Sequence, residues 1–332
     1  MTHIAILWAT WAVWIEIINC LFDRKIQVTS LKLLASKRSA WNLLQTPFWW
    51  IQIEEVTKDS FVWVDFAFFS AGWNISKAWA DIAIQSWVTV IDNTSAFRYD
   101  DKVPLIVPEI NSAAIWNAKL IANPNCTTAI AAVAMYPIHK KYKIKKAIIS
   151  TYQATSWAWA KWMEELKKST TDYLEWNTVE NHEFAYPIAF NLIPHIDSFQ
   201  DNWYTREEMK VVWETRKIFW DESVNISVTA VRIPTLRAHS ESIVLETKEE
   251  IDPEEVKKLM SLASGVELVD DIDKNMYPMP LTASSKYDVE VWRIRQNLVF
   301  WKNWIEFFVA WDQLLKGAAL NAVQIMEEIL KR

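Results

Sequence analysis

Ile4-Ala-Ile-Leu-Trp-Ala-Thr-Trp-Ala-Val-Trp14, with the apolar stretch that follows it to Phe22, decides how the rest of the chain is read. Four apolar residues, Ile4 to Leu7, make a short buried strand, and residues 12–22 have the length and spacing of a helix. The segment between them is where a dinucleotide-binding fold carries a glycine loop, so that backbone can approach a pyrophosphate at a helix N-terminus. Here Trp8, Trp11 and Trp14 stand at that glycine spacing. Working outward, residues 31–35, 64–69, 88–91 and 119–123 are further short apolar runs, with helical stretches between some of them. Alternation of this kind predicts a parallel α/β sheet. From about residue 144 the strand-like runs lengthen (144–151, 224–233, 241–247, 289–295) and interleave with amphipathic helices at 158–175, 205–219 and 253–263. That texture predicts an α+β domain with a mixed or antiparallel sheet. A last helix, about 312–331, starts near Lys316-Gly317 and is apolar on one face. The expected division is therefore a Rossmann-type nucleotide-binding domain over residues 1–127, completed by 313–332, and a second domain over 128–312.

Composition narrows the classes. A chain of 332 residues with net charge −6 holds two cores and offers no broad cationic surface for nucleic acid. No apolar run approaches the ~20 residues that span a bilayer. The N-terminus lacks a basic leader and Glu16 interrupts its apolar run, which favours a strand entering a helix over a signal peptide. Two cysteines, Cys20 and Cys126, make no disulfide framework, and no Cys/His cluster has zinc spacing. A reducing cytoplasm and no metal are expected.

The chain has 22 Trp and 3 Gly, against roughly 23 glycines at an average usage of ~7%. The tryptophans stand where glycine is wanted. Asn202-Trp203 and Asn303-Trp304 occupy turn dipeptides, Trp49-Trp50 separates two strand-like runs, and Trp87 and Trp220 follow helix-like stretches. Bulky residues at positive φ are unfavourable. Most of these tryptophans are therefore expected to be glycine in the native protein, as when a gene that uses UGA for glycine is translated as though UGA meant tryptophan. Trp79 and Trp213, inside helix-like stretches, are the best candidates for genuine tryptophan.

Cys126 follows a strand and opens a helix-like stretch, a setting that favours thiolate and so covalent catalysis. A small buried hydrophobe is the competing reading, and it suits Cys20 better. Arg232 and His239 share one strand-like segment, where a guanidinium can hold a carboxylate and an imidazole can move protons near neutral pH. His195 is the rival histidine. Arg38-Ser39 follows the second strand, and an Arg with a Ser there favours the 2′-phosphate of NADP over the bare ribose of NAD.

Nearly end to end, the chain resembles the aspartate-β-semialdehyde dehydrogenases. The matching stretches include Asp92-Asn-Thr-Ser-Ala-Phe-Arg98, Ala122-Asn-Pro-Asn-Cys126, Ser150-Thr-Tyr-Gln153, Ala189-Phe-Asn-Leu-Ile-Pro-His195, the Arg232 to His239 segment and Lys316-Gly-Ala-Ala-Leu-Asn-Ala-Val-Gln324. The resemblance implies Cys126 as nucleophile, His239 as general base and Gln153 as the group that orients the thioester. It implies Arg232 for the substrate α-carboxylate, Glu207 for its amine, and Arg98 and Lys210 for phosphate, with Asn125 beside the nucleophile. Thr10, Trp11, Ala12, Val13, Arg38, Ser39, Ser156, Trp157 and Asn321 would line the NADP site. A homodimer or dimer of dimers, serving lysine, methionine and threonine biosynthesis, is implied as well. Departures from the family are nearly all Trp for Gly, at 8, 11, 14, 73, 157 and 159. Three other readings compete: an N-acetyl-γ-glutamyl-phosphate reductase-like enzyme, whose cysteine motif carries glycine where Asn125 stands, a catalytically dead scaffold paralogue, and a generic NADP-binding module.

Overall fold

A computed structural model describes residues 2–7, 12–155 and 160–332. The chain divides into two compact units, Met1–Cys126 with Gly317–Arg332, and Thr127–Lys316.

The first unit is built on a seven-stranded sheet. Its strands are β1 (Thr2–Leu7), β2 (Val28–Ala35), β3 (Leu43–Gln45), β4 (Trp50–Glu55), β5 (Phe66–Phe69), β6 (Thr89–Asp92) and β7 (Leu120–Ala122), in the order β3-β4-β2-β1-β5-β6-β7. All neighbours are parallel except β3 and β4. The runs on β1, β5 and β6 are almost wholly buried because a parallel strand is covered on both faces. Helices α1 (Ala12–Asp23), α2 (Trp73–Gln85), the single turn α3 (Pro108–Asn111) and α9 (Leu320–Leu330) complete the unit. The bidentate pair between Arg24 at the end of α1 and Glu327 of α9, at 2.6–2.7 Å, ties the chain's last helix to its first.

The second unit carries a six-stranded mixed sheet. Its strands are β8 (Ile144–Gln153), β9 (Asn225–Arg232), β10 (His239–Thr247), β11 (Val266–Leu268), β12 (Val289–Gln296) and β13 (Trp304–Trp311), in the order β11-β12-β13-β10-β8-β9. With it go α4 (Cys126–Tyr142), α5 (Ala160–Leu174), α6 (Arg206–Phe219), α7 (Pro253–Ser261) and the short α8 (Pro280–Ala283). Period-two burial gives the sheet one closed face, holding Ile149, Thr151 and Gln153 of β8 and His239, Glu241, Ile243 and Leu245 of β10. Ile148 and Tyr152 point the other way and are exposed. α6 opens on a capping box: the Thr205 hydroxyl accepts from the Glu208 N–H at 3.3 Å, and the Glu208 carboxylate accepts from the Thr205 N–H at 2.6 Å.

Some expectations change. Trp49 and Trp50 do not have positive φ, because the β3–β4 connection closes on Thr46, whose hydroxyl accepts from the Phe48 and Trp49 N–H groups. Trp304 is the first residue of β13, and the left-handed residue of that turn is Trp301. The last helix begins at Leu320, after a π-helical turn over Leu315–Ala319. Trp87, Trp203 and Trp220 are left-handed as expected, with φ 66°, 66° and 55°.

Candidate active site

In the first unit the carboxyl ends of β6 and β7 carry the chemistry-bearing residues. Asp92, the last residue of β6, is fully buried; burial pushes its pKa up, against hydrogen bonds from Ser76 and Thr94 that favour the charge. The turn it anchors leads to Arg98, itself buried, whose Nη2 donates to the Asn93 carbonyl at 2.7 Å. After β7 the chain passes Asn123 and the buried Asn125 to Cys126, the first residue of α4 and 1% exposed. Asn321 is fully buried, and its amide donates to Asn123 Oδ1 at 2.6 Å and to the Ile106 carbonyl at 2.9 Å. Gly317 meets the backbone of Cys126: a Cβ added there would lie 2.6 Å from Cys126 Cβ and 3.0 Å from its Cα. Cys20 is buried within α1.

In the second unit the closed face of the sheet and the first turn of α6 bring five of the expected residues into one network. His239 opens β10 with no exposed surface, and its Nδ1 accepts the Ala154 N–H at 3.0 Å. That contact places the proton of the neutral ring on Nε2, which has no partner among the described residues. Burial, helped by the neighbouring Arg232 charge, depresses the ring's pKa to about 3. The Arg232 guanidinium donates to the Ala154 carbonyl at 2.5 Å, so one peptide unit holds both side chains. Gln153 Nε2 donates to Glu207 Oε1 at 3.2 Å, and Gln153 Oε1 accepts from Thr151 at 3.1 Å. Glu207 also takes Lys210 at 3.0 Å and the Thr127 hydroxyl at 3.4 Å. Burial works against the charge on Lys210, but Glu207 and Asp197, the latter at 2.7 Å, more than offset it and raise its pKa. His195 lies outside this network, exposed and stacked on Phe199.

Sequence reasoning missed Glu241 and Asp197. Glu241 shares the closed face of β10 with His239, is fully buried, and neither carboxyl oxygen has a hydrogen-bond partner among the described residues. Burial therefore holds its pKa well above the ordinary carboxylate value. Asp197 lay too far from Lys210 in sequence to be paired with it.

For a dinucleotide, the carboxyl edge of the parallel sheet is the relevant ground. Leu7 pairs with Leu34, so β1 and β2 end side by side. α1 starts at Ala12, with Val13 buried beneath it. Arg38 is exposed and Ser39 half-buried just beyond β2. An exposed guanidinium beside a hydroxyl at that edge fits a phosphorylated ribose. Thr10, Trp11, Ser156 and Trp157 lie outside the described residues. Those described contain no cluster of His, Cys, Asp or Glu able to hold a metal ion, and no helix long and apolar enough to cross a membrane.

Comparison with known proteins identifies the family. Residues 3–118 match the semialdehyde dehydrogenase NAD-binding domain, and residues 135–316 match the semialdehyde dehydrogenase dimerisation domain. The chain is 44% identical to the aspartate-semialdehyde dehydrogenase of Synechocystis sp. over 99% of this chain and 98% of the relative. It is 42% identical to that of Bacillus subtilis over 99% and 97%. Among solved structures, aspartate-semialdehyde dehydrogenase II of Vibrio cholerae complexed with ASA superposes with a TM-score of 0.96 at 39% identity, covering 100% of this chain and 98% of that one. With a nucleotide-binding unit, a dimerisation unit and full-length relatives that all bear one enzyme's name, the chain belongs to the aspartate-semialdehyde dehydrogenase family of oxidoreductases.

Proposed function

We propose that the chain interconverts L-aspartyl-4-phosphate and L-aspartate-4-semialdehyde through a thioester on Cys126, with NADP as cofactor, and that it serves the aspartate-derived route to lysine, methionine and threonine. The observation that carries this reading is the buried network of Gln153, Glu207, Lys210, Arg232 and His239, a set of groups suited to a small molecule bearing two anions and an amine.

In the biosynthetic direction Cys126 Sγ attacks the acyl carbon, a C–S bond forms, and the bond from that carbon to the phosphate oxygen breaks. Phosphate leaves with the electron pair. Bound NADP(H) supplies the hydride chemistry at this carbon. Arg232 holds the α-carboxylate by paired N–H donors, and Glu207 takes the ammonium. Lys210, kept charged by Glu207 and Asp197, and Arg98 receive the phosphate. The Gln153 amide, pinned by Thr151 and Glu207, orients the thioester carbonyl, and Asn125 flanks the nucleophile. Arg38 and Ser39 would hold the 2′-phosphate of the cofactor, and Thr10 to Val13, Ser156, position 157 and Asn321 would line the remainder. His239 moves the proton. Its resting tautomer is a donor at Nε2, so accepting there requires the proton to relocate. A carboxylate arriving on Arg232 offsets the charge that, after burial, most disfavours protonation of the ring. A homodimer fits the exposed apolar residues Ile148 and Tyr152 on the open face of the sheet.

The test is NADPH formation from L-aspartate-4-semialdehyde and NADP with and without inorganic phosphate. Turnover should require phosphate, and Cys126→Ser should lower it by at least ~10³-fold. A Cys126→Ser enzyme that turns over normally, or a rate indifferent to phosphate, refutes the thioester route.

A further inference from the structure

Sixteen non-glycine residues among those described have positive φ, and eight of them are tryptophan. In the first unit these are Trp41, Trp63, Trp87 and Trp116; in the second they are Trp176, Trp203, Trp220 and Trp301. Their φ values run from 41° to 77°, the range where a side chain's Cβ crowds the backbone carbonyl. The same eight are 61–95% exposed, so no packing of the indole compensates for the conformation.

Local hydrogen bonding says what three of these positions are for. At the end of α2 the Trp87 N–H donates to the Ile84 carbonyl at 2.9 Å and the Val88 N–H to the Ala83 carbonyl at 3.2 Å. α5 closes in the same way, with the Trp176 N–H on Tyr173 and the Asn177 N–H on Asp172. So does α6, with the Trp220 N–H on Lys217 and the Asp221 N–H on Arg216. This paired pattern is the Schellman closure, whose left-handed residue is normally glycine. Trp116 is more restrictive, since φ 41° with ψ −124° lies outside even the left-handed helical region. The helix-interior tryptophans differ: Trp79 has an ordinary backbone, and its ring packs 6.1 Å from that of Phe61.

We infer that the folded enzyme carries glycine at these eight positions, and that the cell producing it reads UGA codons there as glycine. The inference rests on backbone geometry and composition, and is independent of the catalytic reading. Positions 8 and 11 lie outside the described residues.

Tandem mass spectrometry of peptides from the protein purified from its own cells reads the eight residues directly. Glycine at all eight is expected; tryptophan at these sites overturns the inference. A second measurement compares recombinant chains with glycine or with alanine at all eight positions. Alanine removes the indoles yet keeps a Cβ, so the glycine chain should melt higher, by on the order of 10 °C. Equal melting temperatures would mean that the backbone places no demand for glycine.

Discussion

Gly317→Ala adds a single methyl group beside Cys126, the proposed nucleophile, and its effect can be worked from distances. The new Cβ would sit 2.6 Å from Cys126 Cβ and 3.0 Å from Cys126 Cα. Carbon atoms in contact settle at 3.5–4.0 Å, so the two must part by about 1 Å. Gly317 is not at positive φ, which leaves space as the only obstacle to alanine. The Asn321–Asn123 and Asn123–Ala318 hydrogen bonds tie this turn to the strand end before Cys126, so the strain cannot be relieved by simple withdrawal. Overpacking of this kind costs about 1–3 kcal/mol, or roughly 5 °C in melting temperature for a unit of this size. A nucleophile displaced by about 1 Å loses on the order of 10²-fold in rate. The expected variant is therefore folded, somewhat less stable, and slow in the phosphate-dependent NADPH assay. A Gly317→Ala enzyme with unchanged turnover and melting temperature would show that Cys126 is not held by this contact.

Three further outcomes follow from the buried groups and the nucleotide edge. His239 has a folded pKa of about 3 against an ordinary 6.5; above 6.5 its contribution to stability is complete. As pH falls from 6.5 toward 3 the unfolded chain gains a proton that the folded one refuses, and stability drops by up to about 1.4 kcal/mol per pH unit. Melting curves of His239→Gln across that window should be flatter than those of the parent, and parallel curves would contradict the burial. Glu241, with its pKa raised by burial, has the opposite sign: folding is penalised as pH rises through the ordinary 4.5. Glu241→Gln should thus be the more stable protein at pH 7, with the advantage shrinking toward pH 4.5; a less stable variant at pH 7 would mean that the carboxyl is charged and paired. Arg38→Ala should raise KM for NADP by roughly 10- to 100-fold and leave NAD kinetics nearly unchanged, whereas equal losses with both cofactors would remove Arg38 from the 2′-phosphate.

The parallel sheet was legible because Ile4–Leu7, Phe66–Phe69 and Thr89–Asp92 are buried on both faces, and continuous apolar runs advertise that directly. The β3–β4 hairpin was only half legible. Three residues of β3 carry too little periodicity to fix a register, and Thr46 closes the turn with a side chain where a left-handed backbone was expected. Cys126 could be singled out because it opens a helix, whereas Arg232 and His239, expected on one strand-like segment, stand on two strands, at the end of β9 and the start of β10. Glu241 could not, since His239-Ser-Glu241-Ser has the look of a strand with polar residues on its solvent side. Only strand pairing shows that β10 is central in its sheet, flanked by β8 and β13, and that Glu241 therefore faces inward. The Lys210–Asp197 pair was equally hidden, because it depends on how the Phe199–Thr205 connection folds back.

The closures of α2, α5 and α6 bear on decoding as well as on folding. Where a helix ends by turning left, geometry favours glycine strongly over a bulky aromatic residue, although α1 closes in the same way on Lys25. Such sites act as fixed points against which a translation table can be audited. Across the proteome of one cell, the residue assigned to a disputed codon at helix-closing positions would reveal that codon's meaning, much as a known plaintext exposes a cipher.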